Sequence, residues 1–238
     1  MAWPDALERD SMEAQAHTRA RRRRPEGPRY RRLVTRIVPV SVFGLLTIDA
    51  LVHLSRGDPS GVAVVGRAAY VLLLLVQVGA FATQAPSRAG DGRAAVWTVS
   101  LVATFAMVIA PSLPPIGTLW TAGALQAQVQ ALLGLVGMAI ALPAMASLGR
   151  SFSLTPQARQ LRTSGLYRVV RHPLYLGETL NVIGIMVAVG SLTVALAALV
   201  VVIGEVIRAA LEERLLRRSF PDYEASFHGV AHLVPGLW

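Results

Sequence analysis

Cysteine and lysine are both absent from this 238-residue chain. The lack of cysteine excludes disulfides, thiolate nucleophiles, cysteine-ligated zinc and iron–sulfur clusters. The lack of lysine leaves arginine as the whole basic complement, 23 residues against 14 acidic ones, for a net charge of +9. No aromatic residue interrupts the run from Arg21 to Arg24 and no nucleic-acid-binding module is recognisable, so nucleic acid is not an expected partner. Signature motifs are missing too: there is no GxGxxG or Walker A segment, no GxSxG and no HExxH. A soluble-type nucleotide fold, a Ser-His-Asp hydrolase and a compact metal site are therefore not indicated. His172, His228 and His232 with Glu212 or Glu213 do not form a recognised ligand pattern, and no metal is expected. The N-terminus carries charges rather than an early apolar core, so it does not read as a cleaved signal peptide.

What the chain has in excess is apolar sequence. Hydrophobic residues make up 53% of it, more than an ordinary globular domain carries, and they fall in long blocks. Four blocks, at about 33–54, 62–83, 94–113 and 122–148, each approach the roughly 20 residues that cross a bilayer. A fifth, at about 175–211, is too long for one span. Gly190-Ser191 near its middle predicts a helical hairpin with arms of about 15 and 20 residues. The shorter arm is expected to tilt, to thin the bilayer or to be partly covered by protein. The expected fold is an all-α, polytopic integral membrane protein with about five or six transmembrane helices and a C-terminal hairpin.

Arginine placement orients this layout, because cytoplasmic loops carry the excess of positive charge. With the N-terminus inside, the inner loops hold Arg88 and Arg93, then Arg150, Arg159, Arg162, Arg168 and Arg171. The C-terminal tail adds Arg214, Arg217 and Arg218, and the outer loops hold little beyond Arg56. Three regions follow. Residues 1–32, with the run from Arg21 to Arg24 before Pro25, read as a mobile cytoplasmic tail that marks topology or meets anionic lipid. Residues 33–146 read as N-terminal transmembrane helices, and 147–238 as a C-terminal region that holds the hairpin and its flanking polar segments. The membrane expected is a plasma or inner membrane, with the N-terminus and those polar segments cytoplasmic.

Ionisable residues inside apolar blocks are functional candidates by default. Asp49 lies four residues before His53 and can pair with it. Glu205, Arg208 and Glu212 fall on one stripe of the last helix, with Glu213 beside it, and Arg208 is spaced to pair with Glu212. The densest cluster is residues 165–178, reading GLYRVVRHPLYLGE. Pro173 biases His172 away from helical geometry, so the chain is expected to turn there and enter the hairpin helix near Leu174. The helix N-terminal amides would then face Tyr167, Arg168, Arg171, His172 and Tyr175, an arrangement suited to a carboxylate or phosphate. His172 is suited to donating a hydrogen bond or moving a proton.

At these residues the chain resembles the integral-membrane methyltransferases of the isoprenylcysteine carboxyl methyltransferase and phospholipid methyltransferase type. Residues 148–152, LGRSF, look like the family's entry to its cytoplasmic loop. Residues 165–177 match its GxYxxxRHPxYxG signature. Arg208 and Glu213 fall in its EExxL region, and Phe220, Tyr223 and Pro235 match its ending. The resemblance covers about residues 147–238. It implies S-adenosylmethionine as methyl donor and a lipophilic acceptor, drawn from the bilayer, bearing a carboxylate, amine or hydroxyl. It implies that Tyr167, His172, Tyr175, Gly177 and Glu212 bind the cofactor, and that Arg208, Glu213 and Arg171 serve the transfer. Membrane sterol-type reductases that use NADPH share a related RHPxYxGE segment, which Glu178 also fits. They typically carry Asn after RHP, where this chain has Leu174. A non-enzymatic membrane scaffold would leave the cluster without a role.

Overall fold

The structure, a computed structural model, describes residues 29–234 apart from 57–60, 86, 88, 92 and 111–112. The Arg21–Arg24 run, Arg88 and Pro235 lie outside the described residues, and so do the side chains of His53 and Arg56. The chain divides into two units, Met1–Arg32 and Leu33–Trp238, and the contacts discussed below lie within the second.

The apolar blocks fold as helices: α1 Arg29–Arg56, α2 Gly61–Ala82, α3 Ala94–Ile109 and α4 Ala124–Leu148. The long fifth block breaks into α5 Pro173–Val189 and α6 Leu192–Ser219, and a short α7, Tyr223–Ser226, follows. The architecture is mostly helical, as expected. By length and composition two segments suffice to cross a membrane, Ala124–Ser151 and Leu192–Ser219. Shorter apolar helical stretches run over Arg67–Ala82, Ala94–Ile109 and Pro173–Val189.

The break inside the fifth block is a backbone requirement. Gly190 ends α5 at φ 64°, in the left-handed region that glycine alone enters without cost, and its N–H bonds to Met186 O. The loop before α4 then clamps the hairpin tip. Leu119 N–H donates to Gly190 O at 2.7 Å, and Leu192 N–H donates to Gly117 O at 2.9 Å. Trp120 Nε1 donates to Val187 O at 2.7 Å.

The opposite end gathers Arg36 of α1, the start of α5 and the ends of α2, α4 and α6. Arg36 Nη2 donates to Gln84 O, and Gln84 Nε2 donates to Phe152 O at 2.7 Å. Arg150 Nε reaches Thr83 O at 2.8 Å. A two-residue strand, β1 Ala89–Gly90, pairs antiparallel with β2 Gln157–Ala158 and anchors the long loop after α4. The core at this end includes Phe43, Phe81, Met145, Phe152, Tyr167 and Leu174. Phe81 lies 5.5 Å from Phe43 and 4.9 Å from Phe152 between ring centroids. Helix α4 packs most extensively on α5, and α3 on α6.

Candidate active site

Residues 165–178 turn as Pro173 requires. A 3-10 turn over Gly165–Arg168 buries Tyr167. His172 sits at φ −126° and ψ 60°, and α5 begins on Pro173 itself, one residue before the expected Leu174. Proline suits that first helical position because its missing N–H would lack an intrahelical partner anyway. The chain's last described segment then runs parallel to the turn. Arg171 N–H donates to Ala231 O at 2.8 Å, and His172 N–H donates to His232 O at 3.1 Å.

Glu213 is the hub of this closure. It is 3% exposed, and Arg171 Nη1 lies 3.2 Å from its Oε2. Arg217 Nη2 donates to the same oxygen at 2.7 Å, and His232 Nε2 lies 3.2 Å from it. Arg171 also holds the C-terminal strap, residues 227–233: Nε donates to Val230 O at 2.9 Å and Nη2 to Phe227 O at 3.1 Å. Its guanidinium also lies 5.7 Å from the centroid of Phe227 and 5.9 Å from that of Tyr223. Burial and the adjacent Glu213 charge push the Tyr223 hydroxyl above its ordinary range.

A second group centres on Tyr175. Its hydroxyl donates to Glu212 Oε1 at 2.8 Å, its ring stacks on His172 at 5.6 Å, and Arg208 Cζ lies 4.8 Å from its centroid. The expected helical pairing of Arg208 with Glu212 does not form; Tyr175 stands between them, touching both. Arg208 is 4% exposed and donates to Leu154 O at 3.0 Å. His172 Nδ1 lies 3.7 Å from Glu212 Oε2. Its Nε2 lies 3.4 Å from Glu213 Oε1 but makes no well-aligned hydrogen bond. Deeper along α6, Glu205 accepts from Thr179 Oγ1 at 2.6 Å.

Between the post-α4 loop and these side chains lies a cleft open to solvent, with an enclosed volume of about 90 Å³. Tyr167, Arg171, His172, Tyr175 and Glu212 line it. Burial, aided by Glu212, drives the Tyr167 hydroxyl far above its usual range, so it stays protonated and faces Ala144 O at 3.4 Å. Arg208, Glu213 and Gly177 lie outside the lining. Gly177 meets α4, where an added Cβ would stand 2.6 Å from Gly137 O. Arg159 and Arg162, read from sequence only as topology markers, do line the cleft. Their only sequence signal was position in the loop leading to the GLYR turn.

Residues 125–223 match the family model of the phospholipid methyltransferases. The matched segment runs from the start of α4 to the start of α7 and includes the cleft walls named above. The resemblance to integral-membrane methyltransferases thus holds, and it supports a methyltransferase activity on a lipid-type substrate. The reductase reading is not favoured. No match to a curated protein is found.

Proposed function

We propose that this protein transfers a methyl group from S-adenosylmethionine to a lipophilic acceptor at the cytoplasmic face of a membrane. The observation that carries the reading is the cleft walled by the RHPxYxG turn inside the segment that matches the phospholipid methyltransferases. The donor supplies a sulfonium-bound methyl carbon open to in-line displacement. The chain has to bind, orient and keep water out, which needs no metal and no protein nucleophile.

His172 and Tyr175 offer stacked aromatic faces at the cleft wall, and Tyr167 offers a neutral hydroxyl. Glu212, held by Tyr175, suits the donor's ammonium. Arg208, buried over the Tyr175 ring, suits the acceptor side. Arg171 and Glu213 act as positioning residues, since their charges hold the strap that shapes the turn. Where the acceptor is an amine or hydroxyl, Glu212 or His172 suits its proton. The gathering of Arg93, Arg150, Arg168 and Arg218 toward the cleft end supports the cytoplasmic orientation, with five or six crossings.

The purified protein in detergent should move label from methyl-labelled S-adenosylmethionine into the organic phase when mixed with extracted membrane lipid. His172→Ala should lower that rate at least about a hundredfold, the scale of a lost orienting group. Label confined to the aqueous phase at wild-type folding would contradict the reading.

A further inference from the structure

Arg171 and Arg208 are the arginines whose position in the motifs suits a carboxylate, yet the fold commits both elsewhere. Arg171 is tied to Glu213 and to two backbone carbonyls. Arg208 is buried between Leu154 O and the Tyr175 ring, and although its Nε also has no partner, it lies outside the cleft lining. Two other guanidinium groups at the cleft are under-used. Arg159 and Arg162 both line it, and the Nε of each is buried without a hydrogen-bond partner. Neither joins an ion pair among the described residues. The partner seen for Arg159 is the neutral Gln157 Oε1, 2.5 Å from Nη2.

The electrostatics agree with the geometry. Burial, together with the Arg36 charge, brings the Arg159 guanidinium down to about 10. It remains a cation at neutral pH, but one short of solvent and facing another cation, and an anion relieves both. The loop that presents these arginines is held in place. Ala158 is fully buried in the β1–β2 pair, and Ser153 Oγ donates to Thr155 O at 2.8 Å. The same cleft also presents a carboxylate, since Glu212 lines it part-exposed and is held by Tyr175.

We infer that Arg159 and Arg162 bind the carboxylate of the methyl donor's amino-acid end, opposite Glu212, which takes its ammonium. The inference rests on the S-adenosylmethionine reading above. A planar guanidinium is built for a carboxylate, with two parallel N–H donors and a fixed charge. A zwitterion laid across the cleft would satisfy both walls, where a neutral ligand would satisfy neither.

The test compares S-adenosylmethionine with its decarboxylated form, which keeps the sulfonium, ammonium and adenosine. Affinities are measured by calorimetry on the full chain in detergent. Wild type should prefer the carboxylated donor. Arg159→Gln and Arg162→Gln should each weaken that donor about tenfold or more while leaving the decarboxylated form within about twofold. Retained binding of the decarboxylated form doubles as the control for folding. Equal losses for both ligands, or no loss for either, would overturn the assignment and leave the methyltransferase reading intact. A wild type that binds neither ligand would overturn both. Variants that keep the donor preference but lose binding to vesicles containing an anionic phospholipid would also overturn it, since the arginines would then serve a lipid phosphate.

Discussion

Glu213→Ala should release the C-terminal strap and cost about 3–5 kcal/mol of stability, the range for removing one partner of a buried ionic group. Four cationic or ionisable groups converge on this carboxylate: Arg171, His172, Arg217 and His232. Without it, Arg171 keeps two backbone carbonyls but loses its counter-charge in a site with little water. The parallel pairing of Val170 with Ala231 hangs on the same guanidinium. Thermal unfolding in detergent should show a large downward shift, and limited proteolysis should cut soon after Phe220. Glu213→Gln keeps the shape without the charge and should fall between the two. A Glu213→Ala protein with native stability and intact strap, inactive only in transfer, would show that Glu213 acts on substrate directly and not as a clasp.

Gly177→Val should break the α4–α5 contact and remove activity with it. A Cβ at 177 would lie 2.6 Å from Gly137 O, 2.9 Å from Ala141 N and 2.9 Å from Ala141 Cβ. Two of these three neighbours are helix backbone, which cannot rotate away as a side chain can. Helices that pack in membranes use such small residues to bring their backbones together. Overpacking of this kind costs about 1–3 kcal/mol, and the upper end is expected here because two helices must separate. Tyr175 and His172 stand on the turn of α5 just before, so the cleft wall moves too. Gly137→Ala, which forces the same crossing from the other side, should lower the unfolding midpoint comparably. Gly134→Ala should be mild, since its nearest neighbour is Asn181 Oδ1 at 3.7 Å. Native midpoints for both Gly177→Val and Gly137→Ala would refute the close crossing.

Much of the helix layout was legible because it rests on local rules. Block lengths located the helices to within about four residues, except that α6 runs 28 residues to Ser219, past the expected 211, because its charged last turns continue the helix; Gly190 marked a break that only a left-handed residue closes, and Pro173 marked a helix start. The less legible parts depend on residues far apart in sequence. Gly177 belongs to the RHPxYxG signature and so suggested a cofactor contact, while the structure sets it against Gly137, 40 residues earlier, at a helix crossing. Helical spacing paired Arg208 with Glu212, but Tyr175 from the neighbouring helix intervenes. The strap from Phe227 to Leu233 has no periodicity to read, since its hydrogen bonds go to Arg171 and to the turn backbone. Arg159 and Arg162 counted only as charges until the loop folded back along the cleft.

One binding measurement bears most directly on the account. S-adenosylhomocysteine and NADPH, titrated separately into the detergent-solubilised wild-type protein by calorimetry, compete as descriptions of the same cleft. Micromolar binding of S-adenosylhomocysteine with no heat from NADPH is the predicted result. Binding of NADPH with no response to S-adenosylhomocysteine would contradict the methyltransferase account.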